Sequence, residues 1–362
     1  MKKSQGFTLV ELLVSLAVLA LILGILLSVT SSIQSTWKST EAKTEQYREA
    51  RVAFESINRS VRQALLNTYW DYDDPNNPTA YQRRSELRFI SGPVADLTLT
   101  SPFPGSATYG HAIFFQSIFG KSGDHPTLDR LLSTRGYFTA LTDGKEKLPN
   151  FIGSSAPDRW RMRLYEFREP ADDLTLYLIT SDNDEEIADD EKTVVDTRKD
   201  WFTIPVGDAA NSHLLAENIL ALIIRPKERA AANVGSATRS QYEKEVRNIA
   251  PDYFYDSSGS LSGELGERQE AQLPPIVQVT LVAISEDSAN RLTKAQLQSL
   301  GSSINSFFRN DSAGMESQLS LGSGSSLEKL LIEHSPPIDY RIFTSNIPIS
   351  GSKWSETLTS SP

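Results

Sequence analysis

From Phe7 to Val29 the chain runs through twenty-three residues with a single charge among them, Glu11. An apolar run of that length fits one membrane-spanning helix at about 1.5 Å per residue. A carboxylate inside such a span costs about 2.5–3.5 kcal/mol, so it needs a partner or a purpose. Lys2 and Lys3 precede the run. Under the positive-inside rule they hold the N-terminal side in the cytoplasm and send the remainder across the membrane. A secretory signal peptide has a shorter apolar core with its small-residue cleavage site behind it. Here the small residue, Gly6, stands in front. A cut at Gly6 removes only the basic leader and leaves the spanning helix on the mature protein.

The segment Gly6-Phe7-Thr8-Leu9-Val10-Glu11 resembles the type IV prepilin processing motif, shared by pilins and the pseudopilins of type II secretion. The resemblance implies that a membrane prepilin peptidase cuts after Gly6 and N-methylates the exposed Phe7. It also implies that Glu11 pairs with the terminal amine on Phe7 of a neighbouring subunit during assembly. A buried carboxylate is tolerable when it meets a cation, and a terminal ammonium at the same depth of the bilayer supplies one.

Beyond Val29, Ile33, Trp37, Thr44, Tyr47, Ala50, Phe54, Ile57, Val61 and Leu65 recur mostly three and four apart, with charged residues between them. No Pro or Gly interrupts residues 25 to 72. The pattern predicts one helix of about sixty residues, roughly 90 Å long, whose second half is amphipathic and packs its apolar stripe on a globular domain. The cluster Asp71 to Pro78 is rich in turn formers and is expected to end that helix.

The remainder reads as short strands between loops. Strands are predicted at residues 86–90, 136–141, 161–167, 174–179, 201–204, 219–224, 276–284 and 339–343, and residues 111–118 read as either helix or strand. Residues 226–273 and 285–335 read as insertions, the second with a helix near residues 290–308, a Ser/Gly linker and a short helix at residues 327–332. The expected fold class is α+β. A long N-terminal membrane-spanning helix packs on a mainly antiparallel sheet, the lollipop plan of a pilin. The expected divisions are a leader at 1–6, a spanning segment at 7–29, an amphipathic half-helix at 30–68, a head at 69–349 and a tail at 350–362.

Within the prepilin-like family the body resembles the minor pseudopilin J group. Arg51 to Arg59, Leu215 to Ile219 and Leu273 to Leu281 carry that likeness. It is most similar to the Verru_Chthon cassette protein C group, through Leu66 to Pro75, Gly110 to Phe115 and Ala221 to Pro226.

Little in the chain suggests other chemistry. The formal charge is −10 and no basic, aromatic-interleaved stretch stands out, which speaks against nucleic-acid binding. Cysteine is absent, which excludes disulfides, thiolate metal sites and cysteine catalysis. His111, His125, His213 and His334 are scattered, with none at metal-ligand spacing from another. No nucleophile elbow, P-loop or dinucleotide fingerprint occurs. Asp71, Asp73 and Asp74 are calcium candidates, although the EF-hand pattern is not met. The acidic residues from Asp182 to Glu191 raise the same idea with less order, and read as a solvated loop. No catalytic residue and no cofactor are expected.

Two functions follow. The first is a structural subunit, a minor pilin or pseudopilin that joins other pilins through its apolar helix in the inner membrane. The second is a membrane-anchored binding module outside the cytoplasm that does not polymerise. In that second reading the aromatic segments 70–72 and 253–255 would contact a glycan or a protein.

Overall fold

In the computed structural model the described residues are 9–180 (except 75, 121, 126, 129, 146–147, 150 and 152–155), 197–228, 249–259, 263–309, 326–354 and 359–360. The chain divides into two compact units, Met1–Arg48 and Glu49–Pro362. Helix α1 spans Leu9–Arg62, 54 residues, and supplies all the described secondary structure of the first unit.

The second unit is the head. In chain order its elements after α1 are β1 (Tyr69–Tyr72), β2 (Tyr81–Arg84), β3 (Phe89–Pro93), β4 (Ala107–Gly120), β5 (Leu131–Thr142), β6 (Arg161–Arg168), α2 (Thr175–Thr180) and α3 (Thr197–Val206). There follow β7 (Ser212–Glu217), β8 (Ile219–Lys227), β9 (Tyr255–Asp256), α4 (Glu264–Gln269), β10 (Ile276–Ile284), α5 (Glu286–Arg291), α6 (Lys294–Phe307), α7 (Leu327–Glu333), β11 (Tyr340–Pro348) and β12 (Thr359–Ser360). Three sheets form, ordered β7-β6-β5-β4-β3-β9, β11-β10-β8 and β1-β2-β12. Every strand pairing is antiparallel. The fold class is α+β.

The head portion of α1 buries Ala50, Ala53, Phe54, Ile57 and Val61, a stripe at helical spacing. Burying Phe54, Ile57 and Val61 contributes about 1.5–3 kcal/mol each. Ser60 on this side hydrogen-bonds the Tyr137 hydroxyl of β5, and Phe54 meets Phe343 of β11 with ring centroids 5.9 Å apart. Tyr137 and Phe138 point to opposite faces of the large sheet. On the Phe138 face lie α2 and α3, where Leu176, Trp201, Phe202 and Val206 share a core with Phe114, Phe138, Tyr165 and Phe167.

A second core joins the two larger sheets to α5, α6 and α7. Thr293 and Gln296 form a capping box at the start of α6, with Thr293 Oγ1 accepting from Gln296 N–H at 3.3 Å and Gln296 Oε1 accepting from Thr293 N–H at 2.9 Å. That cap contributes about 1 kcal/mol. Asn218, at φ 57°, turns the chain between β7 in one sheet and β8 in the other.

Several expectations need correction. Helix α1 ends at Arg62, six residues before the expected 68, because tertiary partners take the next residues. Leu65 N–H donates to Gln116 O at 2.9 Å, and Asn67 Oδ1 accepts from the Glu86 and Leu87 amides at 3.1 Å. The turn cluster at residues 71–78 therefore does not end the helix but closes the β1–β2 hairpin. Residues 174–179 and 201–204 are helical, in α2 and α3, and not strands. Their apolar side chains cover a sheet face, which a helix satisfies without an edge to pair with. Residues 111–118 lie in β4, and β3 starts at Phe89 where a strand was expected from residue 86.

Both stretches expected as insertions also reach the core. From 226–273, β9 pairs with β3, and Ile249, Ala250, Tyr253 and Tyr255 are fully buried. From 285–335, Leu297, Ile304, Leu327 and Leu331 are fully buried.

Candidate functional site

Glu11 occupies the third described position of α1, whereas Gly6 and Phe7 lie outside the described residues. The helix around it is apolar enough to cross a membrane from Leu12 to Lys38, with a mean hydropathy of 3.0 and none of that window buried. Leu9 is 79% exposed, Ile33 59% and Trp37 71%. Such a surface is stable only in lipid or against other apolar helices.

Several hydroxyl side chains of this helix are satisfied by the helix itself. Thr30 Oγ1 donates to Leu26 O at 2.8 Å, and Thr36 Oγ1 donates to Ser32 O at 2.9 Å. Farther along, Thr40 Oγ1 donates to Thr36 O at 2.9 Å. Back-bonding of this kind lets hydroxyls sit in an apolar surrounding without an unmet donor.

Residues 1–27 match the prokaryotic N-terminal methylation motif. The match covers Gly6, Phe7 and Glu11 and stops inside the apolar span. It supports a type IV prepilin-like protein, processed by a prepilin peptidase and anchored through this helix. The head lies outside the methylation motif, and no curated protein and no solved structure matches the chain.

The calcium candidates do not converge. Asp71 Oδ1 accepts from Tyr72 N–H at 2.8 Å, and Asp74 Oδ1 accepts from Asn76 N–H at 2.8 Å. Asp73 Oδ1 accepts from the Thr79 and Ala80 amides at 2.8 and 3.0 Å, and its Oδ2 accepts from the Thr79 hydroxyl. These bonds, the Thr79 hydroxyl first, hold the Asp73 carboxyl far below the usual carboxylate range. They are the work of a turn. Among the described residues no group of three or more His, Asp or Glu is placed to hold a metal ion. Residues 182–191 lie outside the described residues.

The aromatic segments part company. Tyr253 and Tyr255 are fully buried and cannot contact an outside ligand. Trp70 and Tyr72 are 48% and 43% exposed on β1, and the Tyr72 ring stacks on Tyr81 at 5.1 Å. Among the histidines, His111 is a core residue between β4, β8 and α6.

One feature escaped the sequence reading. Arg51, Glu55, Arg59 and Arg62 are all exposed on the head portion of α1. Their spacing of four, four and three was available as a signal, because it places them on a single helix face.

Proposed function

We propose that the chain is a structural subunit, a minor pilin- or pseudopilin-like protein of a type II secretion or type IV pilus-like fibre. The observation that carries this reading is the methylation motif at residues 1–27 running into a helix whose apolar side chains are exposed. In this reading Gly6 is the last leader residue and Phe7 the methylated N-terminus. Glu11 answers the Phe7 amine of a neighbouring subunit. A carboxylate held in lipid is offset by that ammonium, so lateral helix packing and charge pairing happen together. The segment 7–29 spans the inner membrane with its N-terminus cytoplasmic, and the head stands in the periplasm or at the cell exterior. The minor pseudopilin J and Verru_Chthon cassette protein C groups remain the finer assignments for the body.

Glu11→Leu in the native host tests the pairing, and Gly6→Phe tests the cleavage. The expected result is that Glu11→Leu is cleaved and methylated normally but fails to enter a sheared or cross-linked fibre. Gly6→Phe is expected to accumulate as the larger uncut form. Unchanged incorporation of Glu11→Leu overturns the reading.

A second reading, the non-polymerising binding module, draws on the exposed rings of Trp70 and Tyr72. Trp70→Ala with Tyr72→Ala would then abolish function in cells where no fibre containing the protein is found.

A further inference from the structure

The sheet β11-β10-β8 ends on β11, a nine-residue strand, and among the described residues no strand pairs along its outer edge. Its register with β10 runs unbroken from Ile276↔Pro348 to Ile284↔Tyr340. One residue beyond each end, Ile349 N–H donates to Pro275 O at 3.2 Å and Ser285 N–H donates to Asp339 O at 2.9 Å. Hydrogen-bonded and non-hydrogen-bonded pairs alternate in an antiparallel ladder. Residues 341, 343, 345 and 347 therefore turn their backbone groups toward β10. Tyr340, Ile342, Thr344 and Asn346 turn theirs outward, and Pro348 offers only a carbonyl. Thr344, Asn346 and Pro348 are exposed.

The other described edges of the head are short or engaged. On β7, Glu217 N–H donates to Glu49 Oε1 at 3.3 Å, and on β8, Ile224 N–H donates to His111 Nδ1 at 3.0 Å. Strand β9 has two residues and β1 four. Long edges that stay single are guarded by Lys, by Pro or by bulges. Strand β11 has no Lys and no bulge against β10, and its one Pro stands at position 348, outside the run of outward donors.

We propose that the outer edge of β11 pairs with β11 of a second copy, antiparallel about a two-fold axis at Phe343, to make one six-stranded sheet across two heads. A two-fold contact closes on itself and does not propagate, so this dimer is independent of the fibre reading. Self-complementarity selects the occupant. With the axis at Phe343, Tyr340 faces Asn346 of the second copy and Ile342 faces its Thr344. The four outward N–H groups of each strand then meet the four outward carbonyls of the other. Moving the axis to Thr344 puts Pro348 opposite Tyr340 and leaves the Tyr340 carbonyl without a donor.

Side chains favour the same register. Phe343 meets its symmetry mate across the axis, and aromatic pairs directly opposite each other stabilise a ladder. Arg341, the one charged residue of β11, falls opposite Ser345. The two Arg341 side chains start about 13 Å apart along the strands, beyond a Debye length of about 8 Å, so like charges are not opposed.

The chain contains no cysteine, so introduced thiols report unambiguously. Arg341→Cys and Ser345→Cys are placed in two differently tagged copies of the full chain and co-expressed in the native host. They form a non-hydrogen-bonded pair in the proposed register, with Cα atoms about 4.5 Å apart, a separation a disulfide spans. Mild oxidation of the membranes should give a mixed-tag dimer. Arg341→Cys with Pro348→Cys, three residues out of register, should give little.

Thr344→Pro removes an outward N–H and spares the β10 ladder, and should cut the mixed dimer about tenfold. Thr344→Lys with Asn346→Lys leaves the backbone alone and should do the same with an unchanged thermal melt, and it decides the matter if the proline variant misfolds. Membranes that hold both chains and give no mixed dimer overturn the inference. So does an equal yield from the out-of-register pair, or a yield that the two lysines leave unchanged.

Discussion

His111 Nε2 lies 2.7 Å from the carbonyl oxygen of Phe308, the residue that closes α6. With Nε2–H donating there, Nδ1 is bare and accepts from Ile224 N–H of β8 at 3.0 Å. One neutral imidazole thus ties a strand of each large sheet to a helix terminus. Burial is the largest influence on it and pushes its pKa down from 6.5 to about 4, against the nearby carbonyl oxygens of Phe308 and Ile224, which favour the protonated ring.

The pH consequence has a definite sign. The folded pKa is depressed, so the unfolded chain binds the proton more readily. The contribution is fully present above pH 6.5 and is lost as pH falls toward 4. Over that window this residue should remove about 3 kcal/mol of head stability. Denaturant melts of the wild type and His111→Gln between pH 7 and 4 measure it. Parallel pH profiles in the two proteins would show that the imidazole is not the titrating group.

Glu169 behaves in the opposite sense. Its side chain accepts from Thr175 N–H at 2.9 Å and the Thr175 hydroxyl at 2.5 Å. Burial dominates and raises its pKa above the ordinary 4.5, while the Thr175 bonds pull the other way and Asp173 adds to the rise. A carboxyl raised on folding contributes stability at low pH that fades as pH climbs through the folded pKa. Glu169→Gln should therefore be more stable than wild type at pH 7, and the advantage should shrink toward pH 4. An advantage independent of pH would exclude a titrating Glu169.

Gly136 is required by close packing. A Cβ there would stand 2.1 Å from Phe114 Cδ1 and 2.9 Å from the Ile113 carbonyl oxygen. Phe114 has nowhere to retreat, because Phe202 stacks on it at 4.4 Å and Phe167 meets it edge-on at 5.9 Å. Gly136→Ala should destabilise the head by about 1–3 kcal/mol through overpacking. Gly105→Ala, with nothing within 4 Å of its added carbon, controls for space although not for its φ of 70°. Equal loss in both variants would point to backbone conformation as the cause.

Where one physical signal dominated, the sequence was legible to the residue. The β-branched run Ile276–Ile284 is strand β10 with those bounds, because it is the central strand of its sheet and is paired on both sides. The apolar span and its methylation motif were equally plain, being local in the chain. Residues 174–179 and 201–204 failed as strands for a stated reason. A short apolar run has no period long enough to separate strand from helix, so packing on Phe114 and Tyr165 decides.

By itself the sequence determined the apolar N-terminal helix of this protein. A carboxylate four residues after Phe7, two lysines ahead of it and an uninterrupted apolar run are covalent facts that need no tertiary partner. Tertiary structure decided where the helix stops, because the Gln116 carbonyl takes the Leu65 amide that a helix would otherwise use. It also decided that Tyr253 and Tyr255 are core and that residues from both 226–273 and 285–335 join the core between the two larger sheets. Those outcomes depend on contacts between residues tens to hundreds of positions apart, and no local pattern in the chain encodes them.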